Sequence, residues 1–410
     1  MTYCSASSDT ILADLEKEIA KYMKTRYAVL CSSARSAIRF SLLALGVGHG
    51  DEVLVPDLVP QELPITVFCT GAKPVLCDVN RETCAMSFSS FQEAIRPKAK
   101  AVIYSQLYGL PADPRSIKEA AEERNIALIE DSSQALGAII NGRKAGTFGD
   151  VGILNFNKFL NVLLGAAITT NDEELALRIK TNRTKYETKS LFTALFNRMM
   201  ERSGLETSAI FRVIFLGDKY LYKLMHETFS KKYFTRSNGW IKTNSEVLEK
   251  WRANSLTAPM INQLIARADG RYWQRRKMEK MELLRLKKEF TRLDEYFQNR
   301  QNVAKLYEEY LKPGEFEKIP VPPNSLSAYK KYPIIFSESS AVSRCVKALR
   351  RAGFKIDYRY RPLHLSPFFR EIPQKSEFRE ATYLSEHLLP LPVTPNMSPE
   401  EIRKVAFLLN

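Results

Sequence analysis

Ile126-Ala-Leu-Ile-Glu-Asp-Ser-Ser-Gln-Ala-Leu-Gly137 is the stretch that decides how this chain folds. Its first four residues are all apolar. That run is short for a helix and long enough for a strand buried on both faces, the mark of a parallel sheet covered by helices. The strand ends on Glu130-Asp131, and the carboxyl end of a strand is the edge at which open α/β sheets bind ligands. An acidic pair there either caps the following turn or pairs with a protonated ring nitrogen of a ligand, and the local sequence leaves both open.

Working outward, similar apolar runs at Tyr27–Cys31, Asp51–Pro56, Lys73–Asp78, Lys100–Tyr104, Gly152–Phe156 and Ala166–Thr170 read as further strands. Ser36–Leu45, Ser90–Ile95 and Pro114–Arg124 carry helical apolar spacing between them. The expected fold is α/β: a mostly parallel seven-stranded sheet flanked by helices, plus a small C-terminal α+β domain. That domain is built from Lys330–Phe336, helix Ala341–Ala352, strand Lys355–Tyr358 and helix Pro399–Leu409, beyond the Pro-rich break Ile319–Pro323. The predicted division is an N-terminal helical arm at 1–26, a large domain at 27–252, and a helical linker with the small domain at 253–410.

The 410 residues are 45% apolar and 26% charged, which is ordinary for a folded protein and excludes a disordered chain. Six scattered cysteines without a CxxC pair predict a reducing compartment and no zinc site. No signal peptide or uncharged apolar span is visible, so the expected location is cytoplasmic. The net charge of +15 fits nucleic acid, an anionic membrane surface or an anionic small substrate. Nucleic acid is set aside, because no recognised motif or aromatic-basic platform accompanies the charge. The cations from Arg275 to Arg292 also read as a solvated helical face.

Two other stretches carry chemistry. Cys31-Ser-Ser-Ala-Arg-Ser-Ala-Ile38 follows a strand and opens a helix, so it offers free N–H groups and hydroxyls either as a plain cap or as a phosphate site. Gly149-Asp-Val-Gly-Ile-Leu-Asn-Phe-Asn-Lys158 ends a strand on one lysine. That lysine is either an ordinary surface residue or a partly desolvated amine whose lowered pKa makes it a nucleophile.

In order and spacing, these segments together resemble the sugar aminotransferase family named for DegT, DnrJ and StrS, within the fold-type-I pyridoxal-phosphate enzymes. Further matches are Leu45-Gly-Val-Gly-His-Gly-Asp-Glu-Val-Leu-Val-Pro56, Gly71-Ala-Lys-Pro-Val75, Tyr108-Gly-Leu-Pro-Ala-Asp113, Thr170-Asn-Asp-Glu-Glu174, Arg361-Pro-Leu-His-Leu365 and Leu389-Pro-Leu-Pro392. The resemblance implies that Lys158 carries pyridoxal 5'-phosphate as a Schiff base and shuttles the proton of the reaction. It implies that Asp131 faces the pyridine nitrogen and Gln134 the 3-hydroxyl. Arg35 and Ser36 fall at the phosphate-holding helix start, and Asn155 at the position of a phosphate-binding Ser. Asn254 aligns with an Asn that reaches the phosphate of a neighbouring subunit, so a homodimer is implied. The implied reaction takes an amino group from an amino acid, Glu or Gln, to a nucleotide- or lipid-linked keto-sugar for polysaccharide or glycoconjugate synthesis.

The chain departs from the family in three places. A single Asn157 separates the strand-end Phe156 from Lys158, Gly165-Ala166 replaces a Gly pair, and Asp57-Leu-Val-Pro-Gln-Glu-Leu63 replaces an aromatic and Thr-rich stretch. These changes keep a second reading open, a catalytically inactive binding or regulatory protein on the same fold. Between 187 and 252 there is an extra, mostly helical segment in which apolar residues interleave with Arg and Lys. It fits peripheral contact with an anionic membrane, a cover for the site or a thicker dimer interface.

Overall fold

The computed structural model describes residues 7–187, 277–312, 314–356, 360–366, 369 and 377–409. The 187–252 insertion beyond Glu187, the 252/253 boundary and Asn254 lie outside the described residues.

Among the described residues the main sheet has seven strands: β1 (Tyr27–Cys31), β2 (Glu52–Pro56), β3 (Lys73–Cys77), β4 (Ala99–Ser105), β5 (Ala127–Asp131), β8 (Val151–Asn155) and β9 (Ala166–Thr170). Their spatial order is β1-β9-β8-β5-β4-β2-β3. Strand β9 runs antiparallel to both neighbours, and every other pairing is parallel. A two-stranded ribbon, β6 (Ile139–Ile140) and β7 (Arg143–Lys144), lies between β5 and β8 in the chain.

Alternating side chains explain why this sheet is covered twice. Val53 and Val55, Ile129, and Val151 and Ile153 join one core with helices α2 (Ala34–Ala44), α3 (Glu62–Phe68) and α6 (Glu173–Tyr186). Leu54 and Leu128 face the other way, against α4 (Phe88–Ala94) and α5 (Arg115–Glu122). On that same side Ala28, Leu30, Leu154 and Ala167 meet α1 (Ser8–Met23) and α7 (Lys280–Phe290). Both faces are therefore dry, as the uninterrupted apolar strands require.

Helix α8 (Leu293–Tyr310) leads to a smaller antiparallel sheet of β10 (Phe316–Lys318), β11 (Lys331–Phe336) and β12 (Leu388–Pro392). Helices α9 (Ser339–Arg351) and α11 (Pro399–Phe407) share its core with α8, whereas Leu384 of α10 (Arg379–His387) packs into the core of the main sheet. The small unit is stitched to the large one by paired Ile139 and Leu326, and by Gly109 O, which accepts from Ala328 N–H and Ser327 Oγ, both at 2.8 Å. A Cβ on Gly109 would stand 2.7 Å from the Tyr329 and Lys330 nitrogens, and its φ is +89°. Glycine is required there both for the turn and for the approach.

Three expectations need correction. Lys355 and Ile356 are not in a strand, and the other half of that predicted strand includes undescribed residues. The expected helices leave out α3, which the structure adds. The basic run after residue 276 is not simply a solvated face: Lys287 of α7 pairs with Glu18 of α1 at 3.1 Å, and Lys277, just ahead of α7, pairs with Asp9 at 2.6 Å. No helix among the described residues is long and apolar enough to cross a membrane, and no described cluster of His, Cys, Asp or Glu is arranged to hold a metal.

Candidate active site

The carboxyl ends of β1, β8, β5, β4, β2 and β3 share one edge of the sheet, and the chemically suggestive residues collect there. Glu130 and Asp131 separate at once, because consecutive strand residues point to opposite faces. Glu130 is fully buried and turns into the protein. Its Oε1 accepts from Gly146 N–H at 2.7 Å and Gln106 Nε2 at 3.1 Å, and its Oε2 from Phe148 N–H at 2.8 Å. Burial pushes its carboxyl up while those backbone N–H groups pull it down, and the arrangement is a staple for the 146–149 turn.

Asp131 faces the site. Its Oδ1 accepts from Ser133 N–H at 3.1 Å and its Oδ2 from Ser105 Oγ at 3.2 Å, which fixes the carboxylate plane. Lys158 lies in a short turn after β8, partly exposed, with Nζ 3.2 Å from Ser133 Oγ. Burial holds its pKa below the ordinary lysine value, and the Arg35 cation lowers it further; Asp131 and Glu62 oppose them. Gln134 is buried, with Nε2 donating to the Tyr360 hydroxyl at 3.0 Å and Oε1 accepting from Tyr108 N–H at 3.4 Å. Tyr108 holds a positive φ of 59°, an uncommon conformation for a bulky residue.

At the other side of Lys158, Ser33 caps α2 by accepting from Ser36 N–H at 3.2 Å. Arg35 and Ser36 therefore sit in the first turn of an 11-residue helix, whose N-terminal N–H groups attract an anion. Asn155 ends β8 opposite Ala166, and Ala166 in turn pairs with Cys31 at the end of β1. That row sets Asn155 beside the start of α2. Its Oδ1 is buried without a hydrogen-bond partner.

The residues fit pyridoxal phosphate. A buried amide with an unsatisfied end suits a group that brings its own acceptors, since turning the amide over would present two N–H donors. A carboxylate, a desolvated lysine, a primary amide and a helix start with an arginine match the ring nitrogen, the aldehyde, the hydroxyl and the phosphate. Of the predicted residues, Lys158, Asp131, Gln134, Arg35, Ser36 and Asn155 share this edge, and Asn254 lies outside the described residues. Sequence reasoning missed Ser105, Ser133, Tyr108 and Tyr360 as partners. Tyr108 and Tyr360 stand in or beside segments already notable for their motifs, but nothing local marks their hydrogen bonds.

The model of the DegT/DnrJ/EryC1/StrS aminotransferase family matches residues 7–201 and 229–410. The chain is 34% identical over 177 residues to GDP-perosamine synthase of Caulobacter vibrioides, covering 43% of this chain and 48% of that protein. It is 39% identical over 171 residues to the UDP-N-acetyl-3-dehydro-alpha-D-glucosamine 3-aminotransferase of Acidithiobacillus ferrooxidans, covering 40% and 46%. The matches thus span about half the length of these curated relatives. Among solved structures, the aminotransferase TlmJ of Streptoalloteichus hindustanus superposes with a TM-score of 0.71 at 21% identity, over 97% of this chain and 89% of that one. That likeness shows the fold.

Proposed function

Because this chain belongs to the DegT/DnrJ/EryC1/StrS aminotransferase family, whose cofactor is pyridoxal phosphate, we propose that it moves an amino group from glutamate or glutamine to a keto-sugar carried on a nucleotide or a lipid. The observation that carries this reading is the meeting of Lys158, Asp131, Gln134 and the start of α2 on one sheet edge, with the lysine pKa lowered by burial.

In this reading Lys158 Nζ holds the cofactor, with Asp131 on the ring nitrogen and Gln134 on the 3-hydroxyl. Arg35, Ser36 and Asn155 hold the phosphate, joined by Asn254 of a second subunit in a homodimer. When bound, pyridoxal phosphate supplies an electron sink for charge developing beside the amino nitrogen. The protein's residues do the rest. Asp131 keeps a proton on the ring nitrogen, and its orientation is locked by Ser105 and Ser133 N–H. Lys158 Nζ, once released by the donor, takes the proton from the donor's Cα and returns it on the carbon that accepts it; its lowered pKa favours the neutral amine this step uses. Ser133 Oγ holds Nζ within reach between these steps.

A nucleotide carrier is supported by the names of the relatives, which are linked to GDP and UDP sugars. A lipid carrier, with peripheral contact at the cytoplasmic face of a membrane, is supported by the basic and apolar sequence of 187–252. The test supplies purified protein and pyridoxal phosphate with glutamate or glutamine and a panel of keto-sugars on GDP, UDP, dTDP or polyprenyl diphosphate. Mass spectrometry then looks for the amino-sugar. Amination of at least one acceptor is expected; a visible cofactor band that neither donor bleaches would instead favour a non-catalytic protein.

A further inference from the structure

Asp57 lies just beyond β2, fully buried, within a stretch where the chain departs from its family. A carboxylate there is costly unless paired, and its partner comes from the far end of the chain. Oδ2 lies 2.7 Å from His364 Nδ1, Oδ1 accepts from His364 N–H at 2.8 Å, and the Asp57 carbonyl accepts from Leu363 N–H at 3.0 Å. His364 is also fixed elsewhere. Its ring stacks on Phe378 at 4.7 Å, and its Nε2 stands 3.4 Å from Thr382 Oγ1. The Thr382 hydrogen goes to Phe378 O at 2.7 Å, so its hydroxyl offers His364 a lone pair.

The next strand end repeats the device. Asp78, just past β3, accepts from Ala381 N–H at 2.8 Å through Oδ1 and from Glu380 N–H at 3.0 Å through Oδ2. Two carboxylates on the ligand-binding edge therefore hold the C-terminal unit against the large sheet. Four residues before His364, Tyr360 brings its hydroxyl to Gln134 Nε2 at 3.0 Å and its ring within 6.1 Å of Tyr108. Gln134 Nε2 has two hydrogens, so the bond to Tyr360 aims the other.

We infer that the Asp57–His364 pair is a positioning device: it fixes the 360–364 segment and, through Tyr360, sets the orientation of the Gln134 amide beside the cofactor's 3-oxygen. This rests on the cofactor reading given above. An oxyanion that loses a hydrogen-bond donor is less well stabilised and so more basic, and together with the adjacent imine nitrogen it keeps the proton to higher pH.

The test is the pH titration of the visible absorbance of the full chain loaded with pyridoxal phosphate, for wild type, Asp57→Asn, Tyr360→Phe and the double variant. Each single variant should move the midpoint up by about 0.5 to 1 pH unit, the equivalent of one lost hydrogen bond. The double variant should move it no further than Tyr360→Phe alone, because both act through one contact. His364→Asn, which retains a donor close to where Nδ1 stood, should keep the wild-type midpoint, and His364→Leu should lose it. These two carry the test if Asp57→Asn does not accumulate. An Asp57→Asn or His364→Leu midpoint equal to wild type, or shifts that add in the double variant, would overturn the inference and leave the cofactor site standing. Absence of any band in wild type would remove the cofactor reading itself, and the inference with it.

Discussion

Lys158 Nζ lies 3.2 Å from the Ser133 hydroxyl, and the same residue's N–H reaches Asp131 Oδ1 at 3.1 Å. Ser133 thus touches both ionisable groups of the site, one through its side chain and one through its backbone. Ser133→Ala removes the first contact and spares the second. The expected result is normal loading with pyridoxal phosphate and a glutamate half-reaction slowed about 3- to 10-fold, the worth of one neutral hydrogen bond. Stopped-flow loss of the visible band measures it, and an unchanged rate would relegate Ser133 to packing.

Glu130→Gln tests the staple. Both carboxylate oxygens of Glu130 receive backbone N–H groups, so an amide nitrogen must face a donor in either orientation. A loss of about 3 kcal/mol or more in unfolding free energy is expected, with or without cofactor, since the group is fully buried. Denaturant titration reads it directly.

The division of labour between Glu130 and Asp131 also marks how far the sequence can be read. Strand alternation is a local rule, so the main sheet, Asp131 at its edge and Lys158 after β8 were legible in short stretches. Helix α3 was not, because Pro64 and the β-branched residues Ile65, Thr66 and Val67 argue against a helix and burial against α2 overrides them. Strand β12, Leu388-Leu-Pro-Leu-Pro392, was hidden by its prolines, which an edge strand tolerates. Gln134–Tyr360 and Asp57–His364 join residues 226 and 307 positions apart, and no local pattern encodes such pairs.

Arg35→Met tests the electrostatics of the lysine. Lys158 is lowered mainly by burial and further by the Arg35 cation. The neutral amine needed to capture the cofactor therefore exists above that lowered value and disappears as pH falls through it. Removing the cation makes Nζ hold its proton more tightly, so the pH midpoint for capture by the apo-protein should move up, with weaker retention of the phosphate as well. In the same window, between the lowered value and the ordinary one near about 10.4, the unfolded chain binds more protons at this lysine. Its contribution to stability accordingly rises with pH. Capture kinetics against pH measure the midpoint, and an unchanged midpoint would show that Arg35 does not act on Lys158.

The most direct measurement is borohydride reduction of the protein loaded with pyridoxal phosphate, followed by peptide mass spectrometry, in wild type and Lys158→Ala. Hydride adds across the C=N bond and leaves the cofactor permanently on the nitrogen that held it. The pyridoxyl mass is expected on the peptide containing Lys158 in wild type, on no lysine in the variant, and on none after prior bleaching with glutamate. Label on another lysine, or none in wild type, would contradict the assignment of this sheet edge as the cofactor site.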